Sequence, residues 1–352
     1  FTEVSFGTEQ NLVGSAKISQ LLFDGSYLVG LQATKSYIEF FDNALKKTNL
    51  EVIKSVVNAY MNYLLSEANI DYIDKNIESL KRTLRETNKL LVNGLTEEEK
   101  VEQLKITLSE LNSQRKFAFQ FSQLSKDILK ITLGFGEKEE LNLGSSLNSI
   151  IDSYVFKIPE IDSWDLNSNI DIKIANNYVE QKRLEYKLEQ SKALPKLSSF
   201  ISGAYTGNSN SFTFNDQNQK WFGSALFGVN LEVPIFSSLG RSAKSQIAKI
   251  SYEQSKTKLE NTEQQIKVSV KNAKATYELA FENFNIKKNN MKLAENIERK
   301  NQTKFSQGMA SSFELRQAQK QLFNAQQNYL ESLKNLVKKK TELEILLNTY
   351  NN

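Results

Sequence analysis

Residues 24–91 and 237–306 each run for nearly 70 positions without a proline and are rich in Glu, Lys, Gln, Asn, Leu and Ala. Such stretches read as helix almost throughout. At about 1.5 Å per residue each extends on the order of 100 Å, whereas a compact domain is about 30 Å across. Proline would break a helix of this kind, and the whole chain has only 3. Two unbroken rods of this length cannot collapse into an ordinary globule.

The two rods belong to an internal duplication. Gly94 and Gly308 are lone glycines that interrupt long helical patterns, and they lie 214 positions apart. The same offset carries Gln32 to Gln246, Leu45 to Leu259, Val56 to Val270, Ala59 to Ala273, Tyr63 to Tyr277 and Leu108 to Leu322. A period this long marks a duplicated half, not a solenoid unit. In each half a β-like stretch precedes the long helix, a Gly turn follows it, and a second helix returns.

The returning helices nearly match the outgoing one in length. Residues 96–133 span roughly 57 Å as helix and 169–194 roughly 39 Å. Between them, residues 134–168 read as an insertion, with Pro159 and several Asn and Ser residues. In the second half, 310–348 supplies one returning leg, and symmetry places a further helix and most of a strand upstream of Phe1. Leu322, Tyr329, Leu336 and Leu343 recur every seven residues, with Ala318, Ala325 and Ser332 on the neighbouring seam. Leu104, Leu111 and Ala118 echo this in the first half. Large residues on one seam and small ones on the next permit close helix pairs. Gln319, Lys320, Gln326, Gln327 and Lys334 are expected on other faces.

The strands have a different period. From 222 to 235, Ala225, Phe227, Val229, Leu231, Val233 and Ile235 face one way, and Ser224, Gly228, Asn230 and Glu232 the other. Leu197, Ile201 and Tyr205 alternate with Ser198, Ser202 and Thr206, and Leu12, Ala16, Ile18 and Leu22 with Ser15, Lys17 and Ser19. One apolar face fits any half-buried antiparallel strand. At about 3.3 Å per residue, 222–235 spans roughly 46 Å, more than a tilted strand needs to cross a bilayer. Trp221 and Phe236 stand near its ends, where interfacial aromatics belong. Nothing else in the chain is available to cover that apolar face. Four strands per chain, counting the one expected upstream, cannot close a barrel, so the edges must pair with other copies.

Composition narrows the chemistry. The chain has no His and no Cys, which excludes the usual zinc sites, Ser-His-Asp and Cys-His catalysis, His-ligated haem and any disulfide framework. A net charge of +4 from 45 basic and 41 acidic residues lacks the concentrated basic face that nucleic acid requires. No cofactor motif, Gly-rich phosphate loop or carboxylate pair in a cleft is present, so the chain does not read as an enzyme. No stretch of 18 apolar residues exists, which leaves no spanning helix.

With these features in place, the residues resemble a known family, the TolC-like outer-membrane efflux and secretion channels. The carriers are Asn169–Ala175 leading to Leu194-Pro195-Lys196-Leu197-Ser198, Trp221–Phe236 with Pro234-Ile235-Phe236, Val270-Lys271-Asn272-Ala273, Phe305-Ser306-Gln307-Gly308, and Leu315-Arg316-Gln317-Ala318-Gln319 with Leu322. Each is loose alone; their order, spacing and duplication make the match, which covers essentially the whole chain. The resemblance implies an α+β protein of predominantly long α-helices with a short membrane β-barrel portion. Three chains would share an α-barrel and a twelve-stranded β-barrel, with two structural repeats per chain and an equatorial belt at the insertion. On this reading the first repeat is 1–133, the insertion 134–168, the second repeat 169–348 with strands at 196–206 and 222–236, and the C-terminal end 349–352. The expected site is the outer membrane of a Gram-negative-type bacterium, with the helices in the periplasm. The expected partners are two further copies, outer-membrane lipid, a periplasmic adaptor protein and an inner-membrane transporter. Substrate would pass without chemistry, as in tripartite efflux or type I secretion.

The resemblance also assigns positions. Gly94 and Gly308 end helices with φ > 0, and the family makes such turns the adaptor-contacting tips. Val92, Asn93, Gly94 and Leu95 would form one, and Gln307, Gly308, Met309, Ala310 and Ser311 the other. Glu314 and Gln317 share a helix face just beyond the second tip, where the family narrows its pore; three Glu314 carboxylates around a threefold axis would attract cations. Gln317 departs from the family's acidic pattern. Phe227, Val229, Leu231, Val233 and Ile235 would face lipid. Thr96-Glu97-Glu98-Glu99-Lys100 suits a helix N-terminus. A non-membrane structural or adhesive coiled-coil protein, such as a filament subunit, stays open as an alternative.

Overall fold

The computed structural model describes residues 7–136, 139–144, 147–151 and 164–351. Strand β1 (Gln10–Asp24) leads into α1 (Gly25–Val92), and α2 (Glu98–Thr132) returns. A single turn, α3 (Leu147–Ile150), and α4 (Ile170–Ser191) precede β2 (Lys196–Ser209) and β3 (Trp221–Glu232). The long α5 (Gly240–Ser306) and its return α6 (Ser312–Leu347) complete the order. The chain forms two units: residues up to Asp42 with Ile174–Asn261, and Asn43–Lys173 with the residues from Thr262 onward.

In the first unit the strands make one antiparallel sheet in the order β1-β2-β3. Its register gives one mainly apolar face and one mixed face that carries Lys17 and most of the hydroxyl side chains. Ile18, Ile201 and Phe227 stand in one row across the three strands, as do Leu12, Gly207 and Trp221. On the opposite face, Ser15, Ala204 and Ser224 form a row, and so do Lys17, Ser202 and Leu226. A bulge between Leu21 and Phe23 shifts the end of β1, so that Phe23 pairs with Leu197. A bulge inserts one unpaired residue and swaps the faces beyond it, which returns Phe23 to the apolar side. Beyond β1, Asp24 Oδ1 accepts from the backbone N–H of Ser26 at 2.7 Å, and a carboxylate there satisfies a free donor of the first helical turn.

The β3 ladder ends at Glu232. Pro234 has no N–H to give a ladder, so Val233 and Ile235 lie in the connection to α5, both exposed. Helices α1 and α4 are tied in this unit by Asn177, whose Nδ2 donates to the carbonyl of Ser36 at 2.9 Å in a buried setting. Where α1 begins, a Cβ on Gly25 would lie 2.6 Å from the Cδ1 of Leu194 and 3.2 Å from the carbonyl of Ser191, so a larger residue there would push the Leu194 side chain aside.

The second unit is a helical bundle. Hydrogen bonds fix how its helices run. Tyr72 reaches Met291 and Ser79 reaches Glu298, so α1 and α5 are parallel and in step. Asp74 pairs with Arg115 and Glu67 with Ser122, which sets α2 antiparallel to α1. Asn76 donates to Gln326 at 2.8 Å and Gln327 to Asn69 at 2.6 Å, placing α6 antiparallel as well. The core gathers Phe284, Tyr329, Leu333, Leu336 and Leu343, with the Phe284 and Tyr329 rings 5.7 Å apart. The expected seam of Leu322, Tyr329, Leu336 and Leu343 is buried, as apolar positions every seven residues require in paired helices. Gln326, expected on a different face from that seam, is only 4% exposed; its amide is held by Asn76, and a buried amide is tolerated only when so paired. Described parts of the insertion pack here too: Leu141 and Leu143 against Leu129, and Trp164 and Leu166 against the main core. Residues 137–138, 145–146 and 152–163 of the insertion lie outside the described residues.

Candidate functional site

Both hairpin turns of the second unit close in the same way. After α1, Gly94 takes φ +72°, its N–H donating to Leu91 and that of Leu95 to Leu90, both at 2.9 Å. After α5, Gly308 takes φ +73°, its N–H donating to Phe305 at 3.0 Å and that of Met309 to Lys304 at 2.8 Å. This pair of bonds caps the last carbonyls of a helix and requires a left-handed residue, which glycine adopts without strain. No atom lies within 4 Å of where a Cβ would stand on either glycine, so conformation and not space demands glycine. Gln302 reaches both Thr83 and Glu86, and Arg316 reaches Gln103, so the two turns lie side by side. Their apolar residues point outward: Val92 is 87% exposed, Leu95 72% and Met309 68%. Asn93 turns back, its Nδ2 donating to the carbonyl of Lys89 at 2.7 Å. Gln307 and Ser311 are exposed, and Ala310 is half-buried.

Glu314 and Gln317 lie on α6 one turn apart, both exposed. Ser311 and Glu314 form a reciprocal capping box: the Ser311 N–H donates to Glu314 Oε2 at 2.7 Å, and the Glu314 N–H to Ser311 Oγ at 3.3 Å. Such a box satisfies two free donors at a helix start. The backbone and hydroxyl of Ser311, then Lys304, hold the Glu314 carboxyl below the usual range. Its cap is therefore fully present above the ordinary carboxylate range and is lost as pH falls through the lowered value. At the start of α2, Glu98 and Glu99 sit in the first turn, where negative charge suits the helix end.

Between the helices a groove of about 540 Å³ is lined by polar side chains such as Asn76, Gln103, Glu110 and Arg316 together with apolar ones such as Ile106 and Phe313. The described residues contain no cluster of metal-ligating groups and no helix long and apolar enough to cross a membrane.

Two apolar stripes face outward from the second unit. On α2, Phe117, Phe121, Leu124, Ile128 and Ile131 recur at spacings of four and three and are all exposed, Ile131 by 76%. On α5, Leu279, Ile286 and Leu293 recur every seven residues and are exposed as well. Spacing of this kind makes a coiled-coil seam that wants a partner helix. The reading from sequence missed both, although the period was present. In the first unit the apolar sheet face is equally uncovered, with Ile18, Ile201, Phe227, Val229 and Leu231 all exposed.

Comparison with models of protein families matches residues 165–349 to the family described as outer membrane efflux protein. Comparison with curated protein sequences finds no match. Among solved structures, one reporting conformational changes of CusC on folding and channel formation has a TM-score of 0.76 at 15% identity, over 96% of this chain and 83% of that one. VceC from Vibrio cholerae gives 0.71 at 16% identity over 96% and 87%. The open state of the MtrE channel from Neisseria gonorrhoeae gives 0.72 at 15% over 96% and 80%. At such identity the likeness is one of fold, and it covers 96% of the chain. With more than half of its length under the family model, the chain belongs to the outer membrane efflux protein family.

Proposed function

We propose that three copies of this chain assemble side by side into a passive duct through the outer membrane and periplasm, and that an adaptor and an inner-membrane transporter feed it. The observation that carries this reading is the pair of uncovered stripes. Ion-pair and hydrogen-bond partners put α1 residue 72 level with 291 of α5 and 74 level with 115 of α2. The stripes at 117–131 and 279–293 therefore lie at one height in the bundle. Rotation about a cyclic axis keeps height unchanged, so each copy can lay its α2 stripe on the α5 stripe of the next, and the ring closes. In the same ring, the unpaired outer edges of β1 and β3 find strands of neighbouring copies, as a membrane sheet requires.

The polar sheet face then lines the duct and the apolar face, with Phe227, Val229 and Leu231, meets lipid; Val233 and Ile235 stand just below the ladder. Glu314 and Gln317 line the narrow end near the tips, where three carboxylates attract cations. The family does no chemistry on what it passes, and the alternative of a filament subunit has no use for an apolar sheet face.

The protein reconstituted in planar bilayers is expected to conduct, and Glu314→Gln to lower its preference for cations at low salt, where screening is weak. Glutamine keeps a capping-box acceptor and gives up only the charge-dependent part of the cap, so the protein should still fold and insert. A protein that inserts but does not conduct contradicts the duct; unchanged selectivity removes Glu314 from its lining.

A further inference from the structure

We infer that the connection between β2 and β3 is a lipid-interface anchor, seated in the headgroup layer on the side of the membrane away from the helices. The inference rests on the reading of the apolar sheet face as lipid-facing. The connection lies at the sheet end remote from Asp24 and Lys196, where the strands meet the helices. It does not arch over the polar face. A Cβ on Gly207 would lie 3.2 Å from the Phe214 ring and 3.2 Å from the Trp221 ring, and Gly207 and Trp221 pair in the same row as Leu12. Phe214 therefore folds onto the apolar face. Its ring is 6.2 Å from Trp221 and 5.5 Å, edge-on, from Phe212. Phe212, at the outer end of this aromatic row, is 73% exposed.

The row is held in place. Thr213 Oγ1 donates to Gln219 Oε1 at 2.6 Å, and Gln219 Nε2 donates to the carbonyl of Asn208 at 3.3 Å. Asp216 accepts from the backbone of Asn218 at 3.0 Å. A polar loop in water has no reason to set an exposed phenyl ring edge-on to a second one. Aromatic rings flanked by amides and a lysine are what the boundary between hydrocarbon and headgroups accepts. The row lies on the apolar side of the sheet, over Gly207 and against Trp221, which selects lipid over a cargo molecule in the lumen.

The chain has no cysteine, so Phe212→Cys and, separately, Gln217→Cys each take one nitroxide label in the full assembled protein in phospholipid vesicles. The label at 212 is expected to relax faster with oxygen than with a water-soluble nickel chelate, and the label at 217 the reverse. In a Trp164→Phe variant, Trp221 becomes the sole tryptophan. Its emission should be quenched more by lipids brominated near the headgroup than by lipids brominated near the chain end. Trp221 quenched with the 212 label in water overturns the anchor and leaves the lipid-facing sheet standing. Trp221 unquenched by either lipid overturns both.

Discussion

Arginine in place of Phe227 is expected to keep the protein out of the membrane. Phe227 sits at the middle of β3, in one row with Ile201 and Ile18, and its side chain is exposed on the apolar face. An arginine facing lipid at mid-depth costs about 2–4 kcal/mol, and a ring of copies pays it in every chain. Nothing acidic stands in that row to offset the charge. Ser224 is the control: three residues earlier, opposite Ala204 and on the polar face, it should accept arginine with little loss. Fractionation of cells and the yield of the intact oligomer on a gel read the difference. Phe227→Arg accumulating in the outer membrane as well as Ser224→Arg would refute a lipid-facing strand.

Aspartate in place of Leu95 and Met309 together is expected to abolish export while leaving membrane assembly intact. Both side chains are exposed and apolar at turns whose backbone is pinned by two hydrogen bonds. Exposed apolar groups on a fixed backbone can be desolvated by a partner, and a residue at the centre of an interface costs about 2 kcal/mol or more when removed, which is a factor of roughly 30 in affinity. A buried carboxylate adds a desolvation cost. Gly308→Ala separates docking from turn geometry. It forces a methyl-bearing residue to φ +73° with open space around it, a local cost of about 1–2 kcal/mol with every contact residue kept. It should weaken export only mildly. Full export and full adaptor cross-linking by the aspartate pair would refute the role given to the tips.

The parts of this architecture that one helix or strand decides for itself were legible in the sequence. The absence of proline set the rods, Gly94 and Gly308 set the turns, and alternation set the apolar sheet face. The capping box was written as Ser311-x-x-Glu314, although the carboxylate invited a pore reading first. What depended on a second element was not legible. The amide of Gln326 looks like a surface group until Asn76 arrives from α1. The bulge after Leu21 depends on how β1 meets β2. Pro234 in principle announced the end of β3, but the apolar run through Val233 and Ile235 argued for continuing it. The outward stripe on α2 was hidden for another reason. The same helix already carries an inward seam with Leu104 and Ala118, and one apolar seam satisfies the expectation for a two-helix hairpin. A second seam marks a helix with neighbours on two sides, which points beyond one chain.

The direct measurement is electron cryo-microscopy of the detergent-solubilised protein, viewed down its long axis. Three copies should surround an open centre, with α2 of each copy against α5 of the next along the 117–131 and 279–293 stripes. A solid particle of one copy, or an assembly that leaves both stripes facing solvent, would contradict the account.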